Sequence, residues 1–572
     1  MSPFHHTLAQ LASLATIRGD VVEAELWSSA LDLARAHHIE SELDAGPLFQ
    51  DPPPGINPAI LEHLRRAYEA GGWVLVESGV ADLPADLRWL FESGAVTLDQ
   101  LATVHRELGV TSAADIVAAV REQKLRALHG LDETVERAVA ASLSNLRARI
   151  PRIPLGRAVS LAVKMLAALR ATPGVAWAAP LGSLRRGQDQ VGDIELIAAT
   201  DQPSAAIDAL LTLPSSSHVL HRSERRLYVM TNLQQIGVRL THPANAGADL
   251  LHLTGSRAHF EALQAHAASK GFSLRADGLR TADGTLVPAA TESDIYGALG
   301  LPLIPPEIRG GDDEIERAIR GELPALVSLG DIRGDLHMHS EWSDGRDSIG
   351  AMVEACCALG YEYMAITDHS PSSAASRNLT IDGVKRQADE IARLRERYPE
   401  IVILHGCEAD ILPDGRLDFP DEVLRRFDIV LASLHDRSGH TPDQLMERYV
   451  AAMKHPLVTL IAHPTNRLVP TREGYDLDYD RLFEMAVETG TVLEIDGAPS
   501  HLDLDGALAR RAIAAGATVS IDSDCHRSDM LGRQMSLGIL TARRGWVEPR
   551  HVLNTRPFAD VHAMIAAKRA SR

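Results

Sequence analysis

Residues 334–345, which read GDLHMHSEWSDG, place two histidines one residue apart and an aspartate shortly after them. The three side chains are His337, His339 and Asp344. Imidazole and carboxylate groups together are ligands of divalent transition ions such as Zn²⁺, Mn²⁺ and Fe²⁺. The stretch therefore predicts the first part of a metal site.

More side chains of these two types follow, each at the end of a short apolar run rich in β-branched residues. They are His369, Glu408, His435, His463, Asp524 and His526. One histidine at the end of a strand is usually structural, but a recurrence at six of seven strand ends argues for a shared site. Because imidazole predominates, Zn²⁺, Mn²⁺ or Fe²⁺ is favoured over Ca²⁺ or Mg²⁺.

The elements that must position these ligands are strands, because the apolar runs occur in order and each is followed by a helical pattern. The runs are DIRGDLHMH, YEYMAITDH, IVILHGCEADI, DIVLASLH, LVTLIAHP, TVLEIDG and TVSIDSDCH. Alternating strands and helices predict a parallel, barrel-like sheet. In such barrels the functional side chains come from the carboxyl ends of the strands, which is where these ligands stand.

The candidate ligands are too numerous for a single ion, so a carboxylate that bridges two or three ions is expected. Clusters of this kind cleave phosphoesters, because one ion makes water nucleophilic while its neighbours neutralise the phosphoryl oxygens and the leaving group. The residues alone thus indicate a metal-dependent phosphoesterase.

The motifs DLHMHS, ITDHS, GCEADI, ASLH, AHP and DSDCH resemble those of the polymerase and histidinol phosphatase (PHP) superfamily. The resemblance implies a distorted seven-stranded α/β barrel with a trinuclear site in which Glu408 is catalytic. By that resemblance, the three ions would be held by His337, His339, Glu408 and Asp524, by Glu408, His435 and His463, and by Asp344, His369 and His526.

The N-terminal half contains PLGSLRRGQDQVGDIELIAA, which resembles the nucleotidyltransferase signature of family X DNA polymerases. The segments LTGSRAHF and ATESDIYGALGLPLIPPEIR extend the resemblance through a polymerase thumb. The chain is thus similar to bacterial family X DNA polymerases with a C-terminal PHP domain. The resemblance implies that Gly182, Ser183, Arg186 and Gly192 bind nucleotide, and that Asp193 and Glu195 are catalytic and hold Mn²⁺ or Mg²⁺.

The signature departs from its family at two carboxylates. Glu195 stands where the family has aspartate, and the third aspartate, expected from the strand read as VRLT, would be replaced by Arg239. If that register is shifted, Asp249 is the nearest later carboxylate and the alternative third ligand. A longer ligand and a cation predict a weakened polymerase site that prefers Mn²⁺, which accepts a wider range of geometries than Mg²⁺. The helical region similarly resembles helix-hairpin-helix pairs without their Gly-x-Gly turns, of which only Gly94 and Gly130 remain.

The expected fold is therefore multi-domain, with a helical N-terminal region, an α/β nucleotidyltransferase palm and thumb, and a C-terminal distorted seven-stranded α/β barrel. The expected divisions are an 8-kDa-like helical domain (1–80), degenerate helix-hairpin-helix fingers (81–148), the palm (149–243), the thumb (244–312), a linker (313–330) and the PHP domain (331–572).

The charge distribution bears on the partner. The chain has a net charge of −20, yet residues 141–240 carry twelve Lys or Arg against six Asp or Glu. That local excess makes an anion-facing surface and a solvated helical face about equally plausible. No apolar run approaches the ~20 residues of a membrane span, and the start MSPFHHTLAQ lacks a signal pattern, so a cytoplasmic, nucleoid-associated protein is expected.

The leading functional hypothesis is a DNA repair enzyme. It would fill gaps with a weakened, Mn²⁺-dependent polymerase and degrade 3′ ends in a PHP centre that uses Mn²⁺, Zn²⁺ or Fe²⁺. Its partners would be DNA, gapped or with a 3′ end, and dNTPs, whereas the oligomeric state stays open. The alternatives are a nuclease with a catalytically inactive DNA-holding polymerase module, a histidinol-phosphatase-like enzyme, and a non-catalytic binder of DNA ends.

Overall fold

The structure is a computed structural model. It describes residues 2–50, 52–70, 72–83, 85–110, 115–116, 119–120, 122–146, 152–213, 218–231, 234–373, 375 and 377–570. Among these residues, no helix has the length and apolar character that a membrane span requires.

The chain forms two compact units that cut across the expected domain divisions. The first unit comprises Met1–Pro151, Leu161–Pro180 and Gly192–Pro243, and the second comprises Arg152–Ser160, Leu181–Val191 and Ala244–Arg572. The nucleotidyltransferase signature is therefore divided between the two units at Gly192.

The N-terminal part of the first unit is helical, as its amphipathic patterns predict. The helices are Pro3–Ile17, Val21–Ala36, Gly46–Gln50, Pro58–Ala70, Gly72–Ala81, Ala85–Glu92, Leu98–Leu108 and Glu133–Leu146. A capping box between Thr97 and Gln100 begins one of them. Gly94 and Gly130 both have positive φ, and neither has an atom within 4 Å of a Cβ built on it, so both turns leave open space above their backbone.

The strands of the palm region are β1 (Ile153–Pro154), β2 (Val175–Pro180), β3 (Gln190–Val191), β4 (Ile194–Thr200), β5 (His218–Arg222), β6 (Arg226–Thr231) and β7 (Gln234–Thr241). A five-stranded sheet in the first unit has the order β2-β4-β7-β6-β5, in which only β4 and β7 run parallel. Strands β1 and β3 pair antiparallel in the second unit. The helices of this region are Leu155–Ala171, Gly182–Arg185 and Pro203–Leu211.

The thumb region lies in the second unit. Its helices are Ala246–Thr254, Arg257–Ser269 and Glu292–Ala298, and its hairpin consists of β8 (Ser273–Arg275) and β9 (Gly278–Arg280). A further helix, Glu314–Arg320, lies within the expected linker. Glu292 is buried and binds the guanidinium groups of Arg185 and Arg309 at 2.6 Å, which ties the helix Gly182–Arg185 to this region.

The C-terminal part of the second unit is the predicted barrel. Its strands are β10 (Gly334–Asp335), β11 (Tyr363–Ile366), β12 (Val402–Asp410), β13 (Ile429–Ser433), β14 (Leu460–Ile461), β15 (Val492–Asp496) and β16 (Val519–Asp522). All neighbours pair parallel in sequence order. A parallel bridge between Met338 and Cys525 joins the first and last strand regions, so the sheet is nearly closed.

Helices cover the barrel strands and complete two cores. The helices are Ile349–Ala358, Ile381–Arg397, Asp421–Leu424, Pro442–Lys454, Tyr479–Thr489, Gly506–Ala514, Leu531–Arg544 and Phe558–Ala570. Successive residues of β11 alternate between the cores, with Met364 in the larger cluster and Tyr363 in a cluster that includes Val561 of the last helix. Strands buried on both faces explain why the sequence shows continuous apolar runs.

Candidate metal centre

The barrel brings all the predicted ligands to the carboxyl ends of its strands. His337 and His339 follow β10, His369 follows β11, and Glu408 lies within β12. The others lie in corresponding positions: His435 after β13, His463 after β14, and Asp524 and His526 after β16, with Asp344 in the loop after β10. Consecutive strand ends therefore bring these side chains together in one cluster.

Glu408 stands at the centre of this cluster and is 1 % exposed. One of its oxygens, Oε1, lies 2.8 Å from His463 Nε2 and 3.4 Å from His435 Nε2. The other, Oε2, lies 2.8 Å from His369 Nδ1 and 3.6 Å from His337 Nε2 and His339 Nε2. A single carboxylate within reach of five imidazoles has the placement of a bridging ligand.

Two smaller groups flank Glu408. In the first, Nε2 of His337 and Nε2 of His339 are 3.1 Å apart, and Asp524 Oδ1 lies 3.1 Å from His339 Nε2. In the second, Asp344 Oδ1 lies 3.2 Å from His526 Nε2 and 3.6 Å from His369 Nε2. The ligand atoms within each of these groups are close enough to share an ion.

The electrostatics follow from burial and mutual proximity. Burial alone would raise the pKa of Glu408, but the imidazoles of His369, His435 and His337 outweigh it and hold that pKa well below its ordinary value. Burial lowers the pKa of His463, but Glu408 outweighs that effect and raises it to about 9. In contrast, burial lowers the pKa of His339 to about 3. The cluster thus combines an ionised carboxylate with one imidazole whose pKa is raised, His463, and one whose pKa is lowered, His339.

Two of the predicted ligands have an unusual backbone conformation. His463 has φ +29° and Asp524 has φ +47°, in a region that side chains other than glycine rarely adopt. Strain of this kind persists where the surrounding structure holds a functional side chain in place.

The donor set fits divalent transition ions. Buried polar atoms that face the cluster, such as Oε2 of Glu408 and Nδ1 of His369, have no hydrogen-bond partner, which is costly unless another interaction compensates. Mixed imidazole and carboxylate donors suit Zn²⁺, Mn²⁺ or Fe²⁺.

Two acids that contact predicted ligands, Glu494 and Asp410, are not among the residues that the sequence analysis singles out. Glu494 Oε1 lies 2.7 Å from His337 Nδ1, and Asp410 Oδ1 lies 2.6 Å from His435 Nδ1. Such contacts fix the tautomer and orientation of a ligating imidazole. The signal for Glu494 is present in the sequence, since the run TVLEIDG also ends in carboxylates.

A further group forms beside Asp524. Asp496, His501 and Asp524 offer ligand atoms within 4.8 Å of one another. Because Asp524 also belongs to the group with His337 and His339, this arrangement continues the main cluster and does not form a separate centre.

The nucleotide-binding residues expected from the signature lie in different units. In the second unit, Gly182 and Ser183 begin the short helix Gly182–Arg185, and Arg186 donates to the carbonyl oxygen of Thr254. In the first unit, Gly192 and Asp193 directly precede β4, with open space around Gly192.

Glu195 lies on β4 in the first unit, and the register of the sheet bears on one expectation. Gly237 of β7, not Arg239, is the residue paired with Glu195. Arg239 pairs with Ile197 and reaches Glu195 from further along the strand, with Nε 3.6 Å from Oε2. The pairing therefore speaks against the prediction that Arg239 takes the position of the third aspartate, because Gly237 lies beside Glu195.

The chain matches two protein family models. Residues 249–310 match the DNA polymerase beta thumb, and residues 335–496 match the PHP domain. The DNA polymerase/3′-5′ exonuclease PolX of Bacillus subtilis is 35% identical over 515 residues, which cover 89% of this chain and 90% of that protein. The chain belongs to the PolX family.

Shorter relatives match a smaller part of the chain. A probable phosphatase of Caldanaerobacter subterraneus is 31% identical over 185 residues, which cover 30% of this chain and 68% of that protein. A probable phosphatase of Acetivibrio thermocellus is 32% identical over 209 residues, which cover 35% of this chain and 81% of that protein. PolX membership therefore rests on a match over most of the chain, whereas these phosphatases share only about a third of it.

Proposed function

We propose that this PolX family member degrades DNA from 3′ ends in the barrel centre and joins that activity to the nucleotide-incorporating chemistry of its family. The observation that carries the proposal is the position of Glu408, one buried carboxylate within 3.6 Å of five imidazoles. DNA with a 3′ end and dNTPs are the corresponding partners, in line with the activities named for the B. subtilis relative.

The centre would use Mn²⁺, Zn²⁺ or Fe²⁺, held by the nine predicted ligands. When bound, such ions supply Lewis acidity toward a phosphodiester and make water nucleophilic at neutral pH. The chain itself orients the donors. Glu494 accepts a hydrogen bond from His337, Asp410 holds His435, and the Glu408 carboxylate stays ionised among its imidazoles.

The proposal keeps the expected segments as functional parts. The helical residues 1–148, the palm 149–243 and the thumb 244–312 would hold DNA and nucleotide, and residues 313–330 would lead into the phosphoesterase domain. In the palm, Asp193 and Glu195 would be catalytic, and Gly182, Ser183, Arg186 and Gly192 would bind nucleotide.

The test is a degradation assay on 5′-labelled single-stranded and gapped DNA with Mn²⁺. We expect the parent to shorten the labelled strand stepwise from its 3′ end and Glu408→Ala to abolish this. Glu422→Ala removes an exposed glutamate of the barrel unit and should degrade DNA like the parent. Undiminished degradation by Glu408→Ala would refute the assignment.

The same preparations distinguish a small-molecule phosphoesterase, which the probable phosphatases among the relatives bring into consideration. Histidinol phosphate is the substrate to offer beside DNA. Hydrolysis of that ester without degradation of DNA would favour the phosphatase function.

A further inference from the structure

The palm sheet places Glu195 directly beside a residue without a side chain. In the parallel pairing of β4 with β7, the Cα partner of Glu195 is Gly237 and that of Ile197 is Arg239. A Cβ built on Gly237 would lie 2.6 Å from Cδ and from Oε2 of Glu195. The longer side chain of Glu195 therefore fills the space over Gly237.

Paired residues of neighbouring strands project toward the same face of the sheet, so position 237 is where a carboxylate would meet that of Glu195. The family X resemblance requires a third aspartate from this strand. Gly237 cannot supply a ligand, and Arg239 lies two residues further along the same face. The strand β7 (Gln234–Thr241) thus contains no aspartate or glutamate that could complete the set of three carboxylates.

Arg239 brings a positive charge to the same place. Its Nε lies 3.6 Å from Glu195 Oε2, and its Nη2 lies 3.6 Å from Asp115 Oδ1. The side chains of Arg239, Asp115 and Glu195 are only 17, 12 and 23 % exposed. Burial lowers the pKa of Arg239, but nearby anionic groups, chiefly Glu195, outweigh it, so the guanidinium stays charged.

Asp115 holds this arginine in position. It also binds Arg226 of β6, whose Cα partner across the sheet is Arg239. Two cations side by side on neighbouring strands repel each other, and the Asp115 carboxylate between them relieves the repulsion. The described contacts thus link two acids, Asp115 and Glu195, with two arginines, Arg226 and Arg239.

These residues do not fit the pair of divalent ions that a polymerase palm uses. In the described part of the chain, every group of three or more close metal-ligating side chains lies in the barrel. We infer that Gly237 marks the missing third ligand and that Arg239, held by Asp115, neutralises Glu195 in place of a divalent ion. Nucleotide incorporation is therefore the weaker activity of this chain, and it is independent of the degradation proposed for the barrel.

The test restores the missing carboxylate in full-length protein that carries Glu408→Ala, so that degradation does not interfere. The double variant Glu195→Asp with Gly237→Asp shortens one ligand and adds the other, which also makes room for the new side chain. We expect primer extension in Mg²⁺ to rise by at least about tenfold. Titration with Mn²⁺, followed by electron paramagnetic resonance, should show about one more bound ion per chain than in the protein that carries Glu408→Ala alone.

The matched control is Glu195→Asp with Gly237→Asn in the same Glu408→Ala protein, since asparagine has the shape of aspartate but lacks its charge. Extension and Mn²⁺ binding by this control should remain near those of the protein with Glu408→Ala alone. Arg239→Asp, without the other two substitutions, tests the alternative that position 239 is the place of the third carboxylate. Restored extension and an added Mn²⁺ ion in Arg239→Asp, but not in the double aspartate variant, would overturn the assignment to Gly237.

A measurement on the unaltered palm guards against misfolding of these variants. If Asp193→Asn in the Glu408→Ala protein loses two Mn²⁺ ions, the palm already holds a complete pair and the inference is refuted. Loss of one ion or none is the expected result.

Discussion

The carboxylate of Glu494 connects two metal-ligand candidates, since its Oε1 accepts a hydrogen bond from Nδ1 of His337 at 2.7 Å. Its other oxygen accepts from the backbone N–H of His463, also at 2.7 Å. With Nδ1 occupied, His337 directs Nε2 toward Glu408 and Asp524. One acid in β15 thus holds candidate ligands that follow β10 and β14.

We predict that Glu494→Gln weakens metal retention about 10- to 100-fold, the usual effect of losing a partner behind a ligand. An amide can preserve only part of this arrangement, because it lacks the charge and cannot accept from both donors. Metal content after dialysis, measured by mass spectrometry, checks the prediction. Glu488→Gln changes an exposed glutamate on the helix Tyr479–Thr489 and should retain metal like the parent. Equal retention by the two variants would contradict the role of Glu494.

The second prediction concerns Asp368, which secures the loop that carries Asp344. Its buried carboxylate accepts from the backbone N–H and hydroxyl of Ser340, the hydroxyl of Ser343 and the side-chain amide of Gln387, at 2.5 to 2.8 Å. Asp368→Asn turns an amide N–H toward these donors and should lower the free energy of unfolding by about 1–3 kcal/mol.

Chemical denaturation of Asp368→Asn and parent measures this loss. Asp389→Asn, an exposed aspartate on the helix Ile381–Arg397, is the matched control and should stay within about 0.5 kcal/mol of the parent. A stable Asp368→Asn protein with full metal content would show that the loop is held by other contacts.

The sequence predicts the barrel because its strands are continuous apolar runs. It predicts the candidate ligands because most of them stand at or just after the end of such a run, which is a local pattern. Glu494 is harder to find, since its role depends on two other strands lying beside β15. The palm likewise contains contacts that the local sequence does not reveal. Whether Gly237 or Arg239 meets Glu195 depends on the register between β4 and β7, which tertiary pairing sets. Asp115 is distant in the chain, so no local pattern connects it to Arg239.

The third prediction concerns removal of metal. Ions that bind only the folded chain stabilise it by RT ln(1 + [L]/Kd), about 2.7 kcal/mol at a hundredfold excess over Kd. A chelator should therefore lower the melting temperature of the parent. Subsequent addition of excess Mn²⁺ should restore that temperature. Because Glu408 contacts five imidazoles, Glu408→Ala should show a much smaller response. An equal response in both proteins would place the stabilising ion elsewhere.

The last prediction concerns Asp189, which lies in the segment of the polymerase signature that belongs to the barrel unit. Its carboxylate lies 2.8 Å from Nη1 of Arg467 and also binds Arg544, and all three side chains are under a fifth exposed. Asp189→Asn would remove the anion that both buried guanidinium groups share and leave Arg467 only the carboxylate of Asp505 at 3.6 Å. Breaking a buried ion pair in this way typically costs about 3–5 kcal/mol. The control Asp529→Asn breaks an exposed pair with Arg527 and should cost no more than about 1 kcal/mol.

The pH dependence of stability provides a second test of the contacts between Asp189 and its two arginines. Burial would raise the pKa of Asp189, but Arg544 and Arg467 outweigh it and lower the pKa below its ordinary value. The pair therefore contributes its full stability above the unfolded-state pKa of about 3.9, and the contribution is lost as the pH falls through the lower folded-state pKa. The stability difference between parent and Asp189→Asn, measured by urea unfolding, should stay constant from about pH 7 to pH 5 and shrink below about pH 4. A difference that does not change with pH would mean that Asp189 acts through its shape and hydrogen bonds and not through its charge.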